Sequence, residues 1–173
     1  MSSLVYPMLS WLCLATVLLS GCSSMTSVES GFATPDRALE SADSAAAVRR
    51  SDWLKYLYQQ YDDWRGTGYL YGGTSRNGVD CSGFVNVTYR DQLDSWVPRT
   101  TLLQSQFGEP VAMGELQVGD LVFFKTADKV RHVGIYLEKG KFLHASSSEG
   151  VIISRLDSAY WRGKFWQARR MAP

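Results

Sequence analysis

Residues 68–85 of the chain, GYLYGGTSRNGVDCSGFV, hold five glycines and one cysteine in eighteen residues. Glycines packed this densely mark a backbone that turns sharply or is approached closely by another segment. Such a loop delivers Cys81 to the start of the element that follows it. Because enzymes present nucleophilic thiols in this way, the sequence predicts that Cys81 is a nucleophile.

The segment after Cys81 gives two conflicting signals. Residues 84–89, FVNVTY, have the β-branched and aromatic side chains that favour a strand. Asp80, however, is a good N-cap for a helix that begins at Cys81, and Gly83 would let another segment approach the first turn of that helix. Propensity alone favours the strand.

The composition is that of a globular protein, and the length allows one domain with a short extension. The chain has 173 residues, of which 45% are hydrophobic and 20% charged, so disorder over most of its length is excluded. This length suits one domain plus an extension. The formal net charge of +1 lacks the excess of basic residues that is typical of nucleic-acid-binding proteins. No nucleic-acid partner is therefore expected.

The amino terminus has the features of an export signal. Residues 8–19 form an apolar run that is too short to span a bilayer, which needs about 20 residues. Residues 19–22, LSGC, resemble the lipobox of bacterial lipoproteins. The resemblance implies that residues 1–21 are a signal peptide and that Cys22 carries lipid. Ser23, in place of Asp, implies sorting to the outer membrane of a Gram-negative bacterium, facing the periplasm.

One departure from the usual signal is that no Lys or Arg precedes the apolar run.

The export signal also accounts for two of the three cysteines. Cys13 would leave with the signal and Cys22 would be lipidated, so Cys81 would remain without a disulfide partner. A free thiol outside the cytoplasm is a liability unless it is buried or used. A buried, inert Cys81 is the alternative.

Residues 22–50 are rich in Ser, Ala, Thr and Gly, which predicts a lipidated flexible tether with at most a short helix near Ala45. The domain is predicted to span residues 51–173. It would open with a helix that is capped by Ser51 and ends before Gly66, because apolar residues between them follow helical spacing. Strands are predicted at residues 121–124, 131–137, 141–146, 151–154 and 165–169. Helices followed by hairpin-connected strands indicate an α+β fold with an antiparallel sheet of about five strands.

The two histidines of the chain both lie in one predicted hairpin. If its loop comprises residues 138–140, with Gly140 in the left-handed conformation, His144 lies opposite Gly134. His132 and His144 then project from the same face as diagonal neighbours. A two-residue loop would place them on opposite faces. Gly134 would leave room on the shared face for a third group.

Three chemistries could use this set of residues. In a thiol hydrolase, a helix dipole and a neighbouring imidazolium would lower the pKa of Cys81. His132 would be the base, and His144 would fix its tautomer. A zinc site of Cys81, His132 and His144 is the second possibility, although no metal motif such as His-Glu-x-x-His is present. The third is a non-catalytic lipoprotein that binds cell-wall material.

Several motifs along the chain together resemble the NlpC/P60 family of cell-wall cysteine peptidases, most closely its Spr-type murein endopeptidase lipoproteins. The resemblance covers about residues 51–173. The motifs are Tyr69 with the glycines at 72–73, DCSGFV at 80–85, GDLVFF at 119–124, HVGIY at 132–136 and FLHA at 142–145.

The resemblance implies a papain-like α+β fold in which the cysteine begins a helix packed on an antiparallel sheet, so that residues 84–89 are helical. It implies that Cys81 is the nucleophile, His132 the base and His144 the third polar residue. Tyr69 would help to form the oxyanion site together with the backbone N–H of Cys81. Ser82 would contact the substrate.

The implied activity is hydrolysis of a peptide bond to meso-diaminopimelate in the stem peptides of peptidoglycan. No cofactor and no metal are expected. The expected partners are murein and, through the N-terminal lipid, the membrane, and the protein is expected to be a monomer.

Overall fold

The computed structural model describes residues 35–93 and 95–171. The predicted signal peptide, the lipidation site Cys22 and tether residues 22–34 lie outside this part of the chain. No helix within the described residues is long and apolar enough to cross a membrane.

The described residues form four α-helices and eight β-strands. The helices are α1 (Pro35–Trp64), α2 (Cys81–Leu93), α3 (Thr101–Gln104) and α4 (Ala159–Arg162). The strands are β1 (Thr74–Ser75), β2 (Gly78–Val79), β3 (Glu109–Val111), β4 (Leu121–Ala127), β5 (Val130–Tyr136), β6 (Lys141–Ser146), β7 (Gly150–Arg155) and β8 (Phe165–Arg170).

The main sheet is antiparallel, with strand order β3-β8-β4-β5-β6-β7, and β1 pairs with β2 in a separate ribbon. The predicted α+β fold is confirmed, and all five predicted strands are present. The sixth strand of the main sheet, β3, was not predicted because it is three residues long and has Pro110 at its centre. Proline cannot donate to a sheet ladder, and β3 is accordingly at the sheet edge.

Helix α1 begins well before the predicted position. The expected N-cap, Ser51, lies inside α1 and is exposed. Pro35 suits the first helical position, because proline has its φ pre-set and its missing N–H has no intrahelical partner there. Residues 36–50 are rich in Ala and Arg and contain no Gly or Pro to end the helix. The helix start at Ser51 is therefore wrong, and the flexible tether is wrong for residues 35–50.

Replacement of Ser51 tests where the helix starts. Ser51→Ala is expected to leave the free energy of unfolding unchanged or to raise it by about 0.5 kcal/mol, because alanine is the better residue in a helix interior. An N-cap serine would instead cost about 1 kcal/mol when replaced. Urea denaturation of the full chain measures the difference. A loss of about 1 kcal/mol would restore the helix start at Ser51.

Helix α2 resolves the conflict over residues 84–89 in favour of the helix that the resemblance implied. Phe84, Val85 and Tyr89 are buried on this helix in the main core. Thr88 is also buried, and its hydroxyl donates to the carbonyl of Phe84 over 2.8 Å. Tertiary burial therefore outweighs the strand propensity of these side chains.

The hairpin β5–β6 has the predicted register. Ile135 pairs with Leu143 and Tyr136 with Phe142, and Gly140 has φ +74° in the loop. The room expected beside Gly134 is absent, however. A Cβ on Gly134 would lie 2.6 Å from Phe142 Cδ2 and 3.1 Å from His144 Cβ. Glycine is needed here because the side chains of β6 pack directly against the backbone of β5.

Candidate active site

Cys81 is the first residue of α2, and its side chain is buried. Asp80 immediately precedes the helix, and its Oδ1 accepts the backbone N–H of Gly83 over 2.6 Å. Asp80 therefore caps the helix as the sequence predicted. The thiol sulfur lies 3.6 Å from the hydroxyl of Thr101, at the start of α3. The N-terminus of α2 thus holds the thiol where the partial positive charge of the helix favours an anion.

The glycine-rich segment wraps around this helix terminus. The backbone N–H of Gly72 donates to Asp80 Oδ2 over 2.8 Å, and the N–H of Asp80 donates to the carbonyl of Gly73 over 3.3 Å. A Cβ on Gly83 would collide with that same carbonyl oxygen. The close approach expected at Gly83 is confirmed, and it is the loop carrying Gly72 and Gly73 that makes it.

Arg99 completes the network around Asp80. Its two terminal nitrogens donate to the two carboxylate oxygens of Asp80, each over 2.9 Å, and also to Ser82 Oγ and the carbonyl of Gly73. Burial opposes ionisation of Asp80. Hydrogen bonds from Arg99 and from the amides of Gly83 and Gly72 outweigh it and hold the pKa of the carboxyl below its usual value.

Ser82 belongs to the same network. Its hydroxyl donates to Asp80 Oδ1 over 3.1 Å, and its side chain is buried. Ser82 also lines the cavity around Cys81. These contacts give the side chain a structural partner, and its contact with substrate stays a prediction.

The two histidines form a directly hydrogen-bonded pair. His132 Nε2 lies 2.8 Å from His144 Nδ1, and the two ring planes are nearly perpendicular at 88°. The far nitrogen of His144, Nε2, lies 2.9 Å from the hydroxyl of Ser154 on β7. The predicted proximity of His132 and His144 is therefore confirmed, and the structure extends the pair by a serine.

Aromatic rings enclose the histidine pair. The Trp161 ring centroid lies 5.2 Å from that of His132 and 5.3 Å from that of His144, while Phe142 stacks on His144 at 4.8 Å. Burial lowers the pKa of His132 to about 4. Burial, together with the charge of His132, lowers the pKa of His144 to about 2. Both rings are therefore neutral at pH 7. Neither supplies the imidazolium that was expected to lower the pKa of Cys81.

The environment of the thiol also differs from the expectation. Burial raises the pKa of Cys81, while hydrogen bonds from the Thr101 hydroxyl and the backbone amides of Val133 and Ser82 oppose the increase. The expected lowering of this pKa is therefore wrong, because the site is more deeply buried than the sequence indicated. The contact with Val133 brings the sulfur against the strand that carries His132, since the two residues are adjacent in β5.

The buried histidines make stability depend on pH. In the unfolded chain each histidine titrates near about 6.5, so between about pH 6.5 and 4 the unfolded state binds protons that the folded state does not. The free energy of unfolding therefore falls as the pH falls, by about 2 kcal/mol per histidine between pH 7 and 5. Asp80, whose pKa is lowered, contributes only below about pH 4.

Urea denaturation at pH 7 and pH 5 measures this loss. In the double variant His132→Gln/His144→Gln the difference between the two pH values should largely disappear, because glutamine does not titrate. Equal stability of the wild-type chain at the two pH values would show that the histidines are not buried in neutral form.

Two cavities adjoin at Tyr69. One, of about 350 Å³, is lined by His132 and His144, and the other, of about 680 Å³, by Cys81. Tyr69 and Arg131 line both, so the cavities form two halves of one cleft. Burial raises the pKa of Tyr69 to about 12, and the charge of Asp80 and the charge that Cys81 carries once it is ionised add to the effect. The phenol of Tyr69 therefore stays protonated and can donate a hydrogen bond within the cleft.

The zinc alternative lacks a set of donors. Among residues 35–93 and 95–171, no three His, Cys, Asp or Glu side chains are grouped so that they could hold a metal ion. His144 uses both ring nitrogens, one for His132 and one for Ser154. The described residues place one thiol and two imidazoles along the same cleft.

Arg99 and Ser154 are residues of the site that were not predicted from the sequence. No role was assigned to Arg99, and Ser154 was predicted only as part of the strand at residues 151–154. The alternation of side chains in a strand offers a signal for Ser154: Ile152 pairs with His144, so the side chain two residues further along projects from the same face. No comparable local signal exists for Arg99, whose partner Asp80 lies on a different element.

Residues 66–170 match the NlpC/P60 family. Among curated proteins, the Escherichia coli K12 protein named murein DD-endopeptidase MepS/murein LD-carboxypeptidase is 38% identical over 163 residues, which cover 90% of this chain and 87% of that one. The E. coli K12 protein named probable endopeptidase NlpC is 52% identical over 117 residues, which cover 66% of this chain and 76% of that one.

The chain is also similar to solved structures. An NlpC/P60 family protein from Bacillus cereus superposes with a TM-score of 0.63 at 31% identity, covering 69% of this chain and 40% of that chain. The peptidoglycan hydrolase RipB from Mycobacterium tuberculosis gives a TM-score of 0.59 at 26% identity, covering 73% and 68%. The matched region contains the Cys81 helix terminus, the histidine hairpin and Ser154, and the chain belongs to the NlpC/P60 family.

Proposed function

We propose that this chain is a murein endopeptidase that cleaves stem peptides by a thiol mechanism. Membership of the NlpC/P60 family makes it a hydrolase, and the relatives quoted above are named endopeptidases, one of them a murein DD-endopeptidase. The observation that supports the mechanism is the pair of His132 and His144, hydrogen-bonded over 2.8 Å, in the cleft that also holds Cys81.

In this mechanism the resting site is a neutral thiol beside a neutral imidazole. Since Nε2 of His132 is hydrogen-bonded to His144, Nδ1 is the nitrogen that remains to act as base. It takes the proton of the Cys81 thiol as the sulfur attacks the carbonyl carbon of the scissile bond. Proton transfer and attack therefore occur together and require no thiolate formed in advance.

The tetrahedral intermediate carries its negative charge on the former carbonyl oxygen. The Tyr69 hydroxyl and the backbone N–H of Cys81 are the proposed donors to that oxygen. Tyr69 suits this role because it lines the cavity that holds Cys81 and its phenol is an O–H donor. When the C–N bond breaks, the His132 imidazolium returns its proton to the leaving amine, and a thioester to Cys81 remains.

Hydrolysis of the thioester closes the cycle. His132, again neutral, takes a proton from a water molecule as that water attacks the thioester carbon. The C–S bond then breaks, the proton passes to the sulfur, and the thiol is restored. No metal or redox partner is needed at any step. His144 has the supporting role, because it accepts from or donates to His132 Nε2 and so fixes the orientation of the base.

The proposed substrate is a stem peptide of murein, cut at a bond to meso-diaminopimelate. The test is mass spectrometry of the peptides released from purified sacculi of Gram-negative cells. Release of peptides with a new amino group on diaminopimelate supports the proposal. Binding of the protein to sacculi with no released peptide would favour a non-catalytic cell-wall-binding protein.

We also propose that Cys22 carries lipid and anchors the domain to the outer membrane, facing the periplasm as a monomer. The support is the LSGC sequence at residues 19–22 and the Ser that follows it. Fractionation of cells labelled with a fatty acid tests this anchor. Label on the wild-type chain but not on a Cys22→Ala variant is expected, and equal labelling of the two would contradict it.

A further inference from the structure

We infer that Ser154 is a positioning residue for the proposed base, because it sets which nitrogens of the histidine pair carry protons. The inference rests on the proposed function and concerns the same site. Ser154 Oγ lies 2.9 Å from His144 Nε2, and His144 Nδ1 lies 2.8 Å from His132 Nε2. A single chain of hydrogen bonds therefore runs from Ser154 through His144 to His132.

Two proton arrangements are possible in this chain, because each neutral ring carries one N–H. In the first, His132 Nε2–H donates to His144 Nδ1, and His144 Nε2–H donates to Ser154 Oγ. His132 Nδ1 is then unprotonated and can accept the thiol proton. In the second, all donors are reversed: the Ser154 hydroxyl donates to His144, His144 Nδ1–H donates to His132, and His132 Nδ1 carries the hydrogen. Only in the first arrangement can His132 Nδ1 act as the base.

Because His144 is buried, the hydrogen bond at its Nε2 depends on Ser154. His144 is 1% exposed and is covered by Phe142 and Trp161, with ring centroids 4.8 Å and 5.3 Å away. An Nε2–H at this buried position needs an acceptor, since an unsatisfied buried donor is costly. The Ser154 oxygen is the partner that the structure provides at this nitrogen.

The position of Ser154 also favours the first arrangement. Ser154 is half-buried and lines the cavity of about 350 Å³, so its own hydroxyl hydrogen can point into the cleft while its oxygen accepts from His144. Both rings then carry their hydrogen on Nε2, which is the preferred tautomer of a free neutral histidine side chain. Once His132 has taken the thiol proton, the same direction of donors spreads its positive charge along the chain towards Ser154.

The variant Ser154→Ala removes the acceptor and leaves the strand intact. Both rings can then exchange between tautomers, and His132 carries a hydrogen on Nδ1 for part of the time. We expect kcat for release of murein peptides to fall about tenfold with KM unchanged, because His132 cannot act as a general base while Nδ1 carries a hydrogen. Ser154→Thr keeps a hydroxyl on a residue that suits strands, and it should retain most of the wild-type rate.

The deciding measurement is nitrogen-15 NMR of the imidazole rings, because the protonated and unprotonated ring nitrogens differ widely in chemical shift. The chain has only two histidines, so the spectrum of the full-length protein at pH 7 is simple to assign. We expect Nε2–H tautomers on both rings in the wild type and in Ser154→Thr, and a mixture of tautomers in Ser154→Ala. Ser51→Ala, an exposed substitution on α1, is the control and should match the wild type in spectrum and rate.

Two results would overturn the inference. One is a wild-type spectrum with the hydrogen on His132 Nδ1, and the other is a Ser154→Ala chain with unchanged tautomers, whatever its rate. The spectrum requires no substrate, so it separates this inference from the proposed function. If tautomers shift as expected but the wild-type chain releases no murein peptide, the role of Ser154 in the proton arrangement stands and the proposed function fails.

Discussion

Cys81→Ala is expected to abolish release of peptides from murein, with a loss of at least about 10³-fold in rate, as removal of a catalytic nucleophile typically gives. Alanine has no group that can attack a carbonyl, and no other cysteine lies among the described residues. The fold should survive, because the thiol is small and its replacement costs about 1 kcal/mol. Peptide release is followed by mass spectrometry, and folding by urea denaturation of the same preparation.

Cys81→Ser sharpens this prediction. A hydroxyl is far harder to deprotonate than a thiol, and His132, with a pKa near 4, is too weak a base to compensate. The serine variant should therefore be nearly as inactive as the alanine variant. Murein digestion by Cys81→Ala at a rate near that of Ser51→Ala would show that another group is the nucleophile.

Inhibitors separate the alternative chemistries. Iodoacetamide should inactivate the wild-type chain by alkylating Cys81, at a rate that rises with pH because the pKa of this thiol is raised. A chelator should have no effect. Loss of activity with the chelator and not with iodoacetamide would instead support the zinc hydrolase.

The features predicted correctly from the sequence are those set by local rules. The three-residue loop with Gly140 fixes the register of the β5–β6 hairpin, and the period of two then brings His132 and His144 together. Asp80 caps α2 because an acidic side chain directly before a helix accepts the free N–H groups of its first turn. Each of these inferences needs only residues that are close in sequence.

The features that the sequence did not reveal depend on contacts between distant elements. Arg99 reaches Asp80 from another segment, and Ser154 reaches His144 from the neighbouring strand. The direction of the thiol pKa was wrong for the same reason. A helix dipole can be inferred from local sequence, but the burial that outweighs it at Cys81 comes from packing against β5 and α3.

Asp80→Ala is expected to lower the free energy of unfolding by about 2–4 kcal/mol. It leaves the backbone N–H groups of Gly72 and Gly83 without their acceptor and leaves the Arg99 guanidinium without its counterion. Removing one partner of a buried pair costs about 3–5 kcal/mol. The side chain of Arg99 is 37% exposed, so solvent reduces this cost.

Two further variants identify the source of the loss. Asp80→Asn keeps an oxygen that can accept from Gly83 but removes the charge, and we expect it to lose about half as much as Asp80→Ala. In the double variant Asp80→Ala/Arg99→Met no unpaired guanidinium remains. Its loss should therefore be smaller than the sum of the two single losses, and a double-mutant cycle measures this coupling.

A matched control is the exposed pair of Arg155 and Asp157, whose side chains are 53% and 59% exposed and lie 2.6 Å apart. Asp157→Ala should have no measurable effect on stability, since exposed ion pairs contribute little. The contrast between the two aspartates is the test of the network. If Asp80→Ala were as harmless as Asp157→Ala, Asp80 would not hold the loop to α2. The position of Cys81 would then have to depend on the packing of α2 against β5, β6 and α3.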